Sequence, residues 1–190
     1  MSPATINSTS DAVDFLVEQH ERIKRLFTET AQTVDAEERK AKFFELRRLL
    51  AVHETAEEEI IHPRARREIG DGAGAAIVDA RLEEENKAKK QLADLESVDI
   101  GSPEFQDKLD RLRRAVLAHA DHEEHEEFNR LRQEMDPEAL QRMRKTVELA
   151  EAMAPTRPHP GVESAMANAL VGPFAAMMDR AKDMISKPQR

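Results

Sequence analysis

Two copies of one pattern, a histidine followed four residues later by a glutamate, interrupt stripes that are otherwise apolar. The first copy continues Leu46, Leu49 and Leu50 with His53, Glu57 and Ile60, all at helical spacing along one face. The second continues Leu109, Leu112 and Val116 with His119 and Glu123. Burying an imidazole and a carboxylate costs free energy unless each finds a partner, and a metal ion is one such partner. One His-x-x-x-Glu on a charged helix is a common surface pattern, so the doubling is what constrains the fold.

Two further polar residues stand in apolar stripes. His20 falls among Leu16, Ile23 and Phe27, and Glu85 among Val78, Leu82, Leu92 and Leu95. His20 precedes His53 by 33 residues, and Glu85 precedes His119 by 34. Each half of the chain therefore offers one helix with a single ligand and a hairpin partner with two. This predicts an all-α fold, an up-down four-helix bundle whose cavity is lined by His20, His53, Glu57, Glu85, His119 and Glu123. Two carboxylates able to bridge, with nitrogens around them, describe a dinuclear centre. Imidazole with carboxylate suits iron, manganese or zinc.

Taken singly, these residues have plainer readings. His20 is then an ordinary core histidine, and Glu57 and Glu123 belong to solvated acidic runs at 57–59 and 123–127. Glu85 faces water with Glu83 and Glu84, and His122 and His125 lie on the surface beside Glu126 and Glu127. A helical bundle with no metal follows from those readings. The two matched spacings outweigh them.

The helices expected in chain order begin at Ser10 and Asp11, which cap a first helix to about Val34. A second runs from Ala36 to about Glu68, bent at Pro63, and a third from Ala75 to about Ser97. Ser102 and Pro103 open a fourth, to about Glu134, and Pro137 restarts a fifth, an extra helix, to about Met153. Residues 1–154 thus make one bundle. Residues 155–190 make a proline-rich linker and an amphipathic, Met-rich C-terminal helical arm, either folded back on the bundle or free to dock a protein partner.

Composition removes several alternatives. A net charge of −9 argues against nucleic acid and against anionic membrane surfaces. No cysteine means no disulfide, no iron–sulfur cluster and no thiolate zinc site. No apolar run reaches the ~20 residues of a membrane span, and the first residues lack the pattern of a signal peptide, so a cytoplasmic location is expected.

The segment HETAEEEIIHP at 53–63, LEEE at 82–85, HADHEEHEEF at 119–128 and His20 together resemble the hemerythrin-like family of HHE cation-binding domains. The resemblance spans about Asp11 to Met153, and PTRPHP at 155–160 is similar to a tail linker in a bacterial branch. It implies two iron ions, oxo- or hydroxo-bridged, that bind or react with hydrogen peroxide, dioxygen or nitric oxide in oxidative or nitrosative stress. Peroxide decomposition of the catalase kind is the enzymatic version of that expectation. A gas or redox sensor, or an iron-binding module, signalling through the arm is the non-catalytic one.

Two positions depart from the family pattern. Glu85 stands where a histidine is usual, and the added negative charge favours ferric iron over reversible dioxygen carriage. His62 stands where an aromatic residue usually precedes the proline. Nine residues past His53, at ~100° each, an ideal helix puts His62 on the opposite side, and a bend at Pro63 is needed to bring it to the metal.

Overall fold

The computed structural model describes residues 10–70 and 72–153, and every regular element in that span is helical. Residues 1–9 and the linker and arm expected over 155–190 lie outside the described residues. Helix α1, Ala12–Gln32, is capped by Asp11 in a reciprocal box: Asp14 N donates to Asp11 Oδ1 at 2.9 Å and Asp11 N to Asp14 Oδ2 at 3.2 Å. Helix α2, Ala36–Ala56, is capped by Asp35. It passes through a π-helical turn, Glu57–Ile61, into α3, His62–Glu68. Helix α4 is Ala73–Glu96, and α5 is Pro103–His122 behind the Ser102 cap. A second π-helical turn, Glu123–Phe128, leads into α6, Asn129–Glu134, and α7, Pro137–Met153, closes the described chain.

Gly72 turns the chain into α4 in the left-handed region, at φ 73°. Gly74 follows where α4 crosses the end of α3, and a Cβ there would meet the Ala65 carbonyl oxygen at 2.6 Å. Both glycines are therefore dictated by backbone geometry. Helix α1 pairs with α2 and α4 with α5, α1 also meets α5, and α7 packs against α1 and α2. This is the up-down bundle with its extra helix.

The apolar core divides into two bodies. One gathers Ile23, Phe27, Leu46, Leu50, Leu92, Phe105, Leu109 and Leu112. The other gathers Leu16, Ile61, Val78, Phe128, Leu131, Leu140, Met143 and Val147. Each buried Leu or Phe contributes about 1.5–3 kcal/mol by leaving water. Between the bodies, at the level of His20 on α1, His53 on α2, Glu85 on α4 and His119 on α5, the stripes turn polar. Every one of those four side chains is buried. The apolar halves hold the bundle together and set the depth at which the polar layer lies.

Candidate metal centre

The six residues expected at the centre of the bundle are all buried there with their donor atoms close together, and His62 is buried beside them. His53 Nε2 lies 3.3 Å from Glu57 Oε2, and His119 Nε2 lies 3.3 Å from Glu123 Oε1, each pair one turn apart on its helix. His20 Nε2 lies 3.0 Å from His53 Nε2 and 3.3 Å from Glu123 Oε2. Three groups of donor atoms result among the described residues: His20, His53, Glu57 and Glu123 in the first, Glu57, Glu85, His119 and Glu123 in the second, and His62, Glu123 and Glu127 in the third. Glu123 belongs to all three and Glu57 to the first two, so these are the carboxylates placed where they could be shared between ions.

The outer nitrogens of the imidazoles are each taken by an acceptor. His20 Nδ1 meets Glu124 at 2.8 Å, His53 Nδ1 meets Gln19 Oε1 at 2.7 Å, His62 Nδ1 meets Glu127 at 2.9 Å and His119 Nδ1 meets Glu84 at 3.1 Å. With Nδ1 on an outer acceptor, each ring turns its Nε2 inward, which is how a protein presents histidine to a metal. Four histidines on three separate helical runs share this arrangement.

The carboxylates supply the complementary sign. Both oxygens of Glu57, both of Glu123 and His119 Nε2 are buried with no hydrogen-bond partner. Orphaned buried carboxylate oxygens are costly, and a cation between them removes the cost. The donor set is nitrogen and oxygen without sulfur, and it fits borderline divalent and trivalent metals.

His62 is where ideal helical phasing fails. It is buried, and its Nε2 lies 2.6 Å from Glu85 Oε1. The device is the π-helical turn, not a bend at Pro63: the His62 N–H donates to the carbonyl of Glu57, five residues back. That wider turn absorbs one residue of rotation, so His53, Glu57 and His62 all reach the cavity side. Pro63, without an N–H, starts the α-helix that follows. The second π-helical turn does the same after His119 and Glu123. It brings Phe128 to stack on the His20 ring, with centroids 5.8 Å apart and planes 11° from parallel.

Several neighbours of the candidate site are not legible in the sequence. Glu127, read as surface, is fully buried on His62, whereas His122 and His125 do lie at the surface, 45% and 70% exposed. Gln19, Glu84 and Glu124 are the remaining outer acceptors. Glu84 also binds His122 Nδ1 at 2.9 Å and Arg81 Nε at 3.0 Å, so its position is fixed from three sides.

The buried charges oppose one another. Burial pushes Glu57 well up, with Glu123 adding to the push, and lifts Glu54 to about 7 and Glu58 to about 8. Burial holds the neighbouring His53 down to about 3. Burial also works against the protonated forms of His62 and His119, yet carboxylates raise both well above the ordinary range: Glu127 and Glu85 for His62, Glu123 for His119. For a raised carboxylate, the folded state keeps a proton that the unfolded chain has lost, so stability falls as pH climbs from 4.5 to the raised value. For a raised histidine, stability is full below 6.5 and is lost as pH rises through the folded value. Both act in one direction. The metal-free protein is expected to melt at a lower temperature at about pH 9 than at pH 6.5, and metal should flatten the difference, since bound ligands carry no proton. Melting curves at the two pH values, with and without metal, check this.

A cavity of about 10 Å³ lies between α1, α2 and α5, walled by His20, His53 and His119 on one side and Ile23, Leu50 and Val116 on the other. It has room for roughly one small molecule of the size of water.

Comparison with known proteins gives three likenesses. Residues 11–131 match the model of the hemerythrin HHE cation binding domain. A protein of Nostoc sp. named DNA nickase is 27% identical over 125 residues, covering 66% of this chain but 34% of that protein, so the chain spans about a third of the relative's length. The crystal structure of a hemerythrin HHE cation binding domain-containing protein from Mycobacterium kansasii aligns with a TM-score of 0.65 at 22% identity, over 75% of this chain and 86% of that one. At that identity the likeness is one of fold.

Proposed function

This chain belongs to the hemerythrin HHE cation binding domain family, and from that premise we propose that it is a non-haem di-iron protein that binds or reacts with hydrogen peroxide, dioxygen or nitric oxide. The observation that carries the reading is the set of four histidines whose Nδ1 atoms are all held from outside, around carboxylates with no other partner. His20 and His53 would hold one ion, and His62, Glu85 and His119 the other, with Glu57 and Glu123 shared. When bound, the ion pair supplies Lewis acidity and electrons for small oxygen or nitrogen species.

The residues of the chain select and orient. Glu124, Gln19, Glu127 and Glu84 hold the imidazole rings, so the orientation of each ring is set before loading. Ile23, Leu50 and Val116 give the cavity an apolar wall, and its small volume favours a ligand no larger than a diatomic or a peroxide. Phe128 covers His20 on its other face. Among the described residues no helix is long and apolar enough to cross a membrane. A cytoplasmic location and a role in oxidative or nitrosative stress accompany the proposal.

The iron-loaded protein is expected to evolve dioxygen from hydrogen peroxide, or to change its visible spectrum with dioxygen or nitric oxide, and His119→Ala should abolish the response. An iron-loaded protein inert to all three would overturn the reading. Removing residues 155–190 should leave iron content unchanged, because the donors all lie in the bundle. Elemental analysis of a chain truncated after Ala154 checks this, and its melting temperature reports whether the arm packs on the bundle.

A further inference from the structure

Lys89 follows Glu85 by one turn of α4 and is buried, 7% exposed. Lysine is almost never buried without partners, and this one has three. Its ammonium donates to Glu58 Oε1, lies 3.4 Å from Glu85 Oε2 and lies 3.8 Å from Glu54 Oε2. Glu85 is thereby divided between two surroundings. Its Oε1 is on the cavity side, 2.6 Å from His62 Nε2 and 4.0 Å from His119 Nε2, while its Oε2 is on the lysine side.

We propose that Lys89 is a positioning residue for the metal centre, holding Glu85 Oε2 out of the cavity so that Glu85 meets a metal through Oε1 alone, and offsetting the negative charge that this carboxylate brings. The inference rests on reading the cavity as an iron site. A carboxylate can ligate through one oxygen or two, and an ammonium fixed on the second oxygen leaves one. The ammonium, shared with Glu58 and Glu54, then offsets part of the negative charge that Glu85 presents to the cavity. The bias toward ferric iron expected from a lone Glu85 is correspondingly weakened. Coulomb attraction over such distances inside a protein is large enough to shift a redox equilibrium, and it is lost entirely when the ammonium is removed.

The plainer alternative is that Lys89 only neutralises Glu54 and Glu58 and leaves the metal unaffected. The two are separated in the full-length, iron-loaded chain by comparing the wild type, Lys89→Met and Lys89→Arg, with iron content and ferric/ferrous midpoint potential as readouts. Lys89→Met should keep iron and shift the equilibrium at least tenfold toward ferric, which is about 59 mV for a one-electron couple. Lys89→Arg should restore the wild-type potential. Because Lys89→Met leaves buried carboxylates facing one another, the charge-balanced pair Glu58→Gln and Glu58→Gln/Lys89→Met gives the same comparison in a chain better able to fold. The tenfold shift with iron retained is expected there too, and loss of iron from the folded double variant but not from Glu58→Gln would overturn the inference. Iron retained at an unchanged potential overturns the inference about Lys89 and leaves the iron site standing. A wild-type chain that takes up no iron overturns both.

Discussion

Glu57→Gln is expected to give a protein that is more stable without metal and that no longer holds metal. Glu57 is fully buried, both of its oxygens lack a hydrogen-bond partner, and it is shared by the His20–His53 and the Glu85–His119 groups of donor atoms. An amide cannot bridge two cations as a carboxylate does, so iron should fall from about two equivalents to under half of one. The metal-free protein should move the other way. Burial, and Glu123 after it, raise the Glu57 carboxyl well above its ordinary range, so the native protein holds a proton that the unfolded chain gives up above pH 4.5. That difference costs stability at neutral pH, and the amide removes it. A gain of about 1–3 kcal/mol would lift the melting temperature by several degrees, at about 2–4 °C per kcal/mol for a chain of this size. Opposite signs in one variant are the mark of a group placed for a ligand at the expense of the fold. Melting curves and elemental analysis on the same preparation check both halves.

His62→Ala should have the next largest effect, and a selective one. Its Nε2 faces Glu85 at 2.6 Å and its Nδ1 faces Glu127 at 2.9 Å, so its loss removes the nitrogen of the His62, Glu123 and Glu127 group and takes a partner from two buried carboxylates. The first group, around His20 and His53, makes no use of it. Iron should fall from about two equivalents to about one, and the metal-free protein should lose about 3–5 kcal/mol, the cost of breaking a buried ion pair from one side. Retention of both irons would place His62 outside the coordination sphere, as a partner of Glu85 only.

The residues most legible in the sequence were those whose chemistry contradicts their stripe. His20, His53, Glu57, Glu85, His119 and Glu123 each break an apolar run at helical spacing, and all six are buried at one level of the bundle. The caps at Asp11 and Ser102 were equally plain, because a short polar side chain before a helical run has few other uses. The route that brings His62 inward and the burial of Glu127 escape the sequence for one shared reason. Phasing by an ideal helix fails across Glu57–Ile61 and Glu123–Phe128, where the backbone widens to i→i+5 bonding, and nothing in the local composition announces that change. Acidic runs also read as solvated, yet Glu57, Glu123 and Glu127 within them are fully buried. The outer acceptors were out of reach for a different reason. Glu124 meets His20 across 104 residues of sequence and Glu127 meets His62 across 65, so only the assembled bundle brings them together. Lys89 is an intermediate case. Its i,i+4 relation to Glu85 reads as one more surface ion pair, and its burial among Glu54, Glu58 and Glu85 is a tertiary fact.

The central claim is that the polar layer between the two apolar bodies is built for two iron ions, and elemental analysis of the full-length protein purified from iron-replete cells, with its absorption spectrum taken alongside, tests it most directly. With no Trp and no Tyr in the chain, near-ultraviolet and visible bands would report the iron centre almost alone. The account predicts about two irons per chain with such bands present, and both lost in His53→Ala and His119→Ala. Under half an equivalent of iron and a featureless spectrum in the wild-type protein would contradict it.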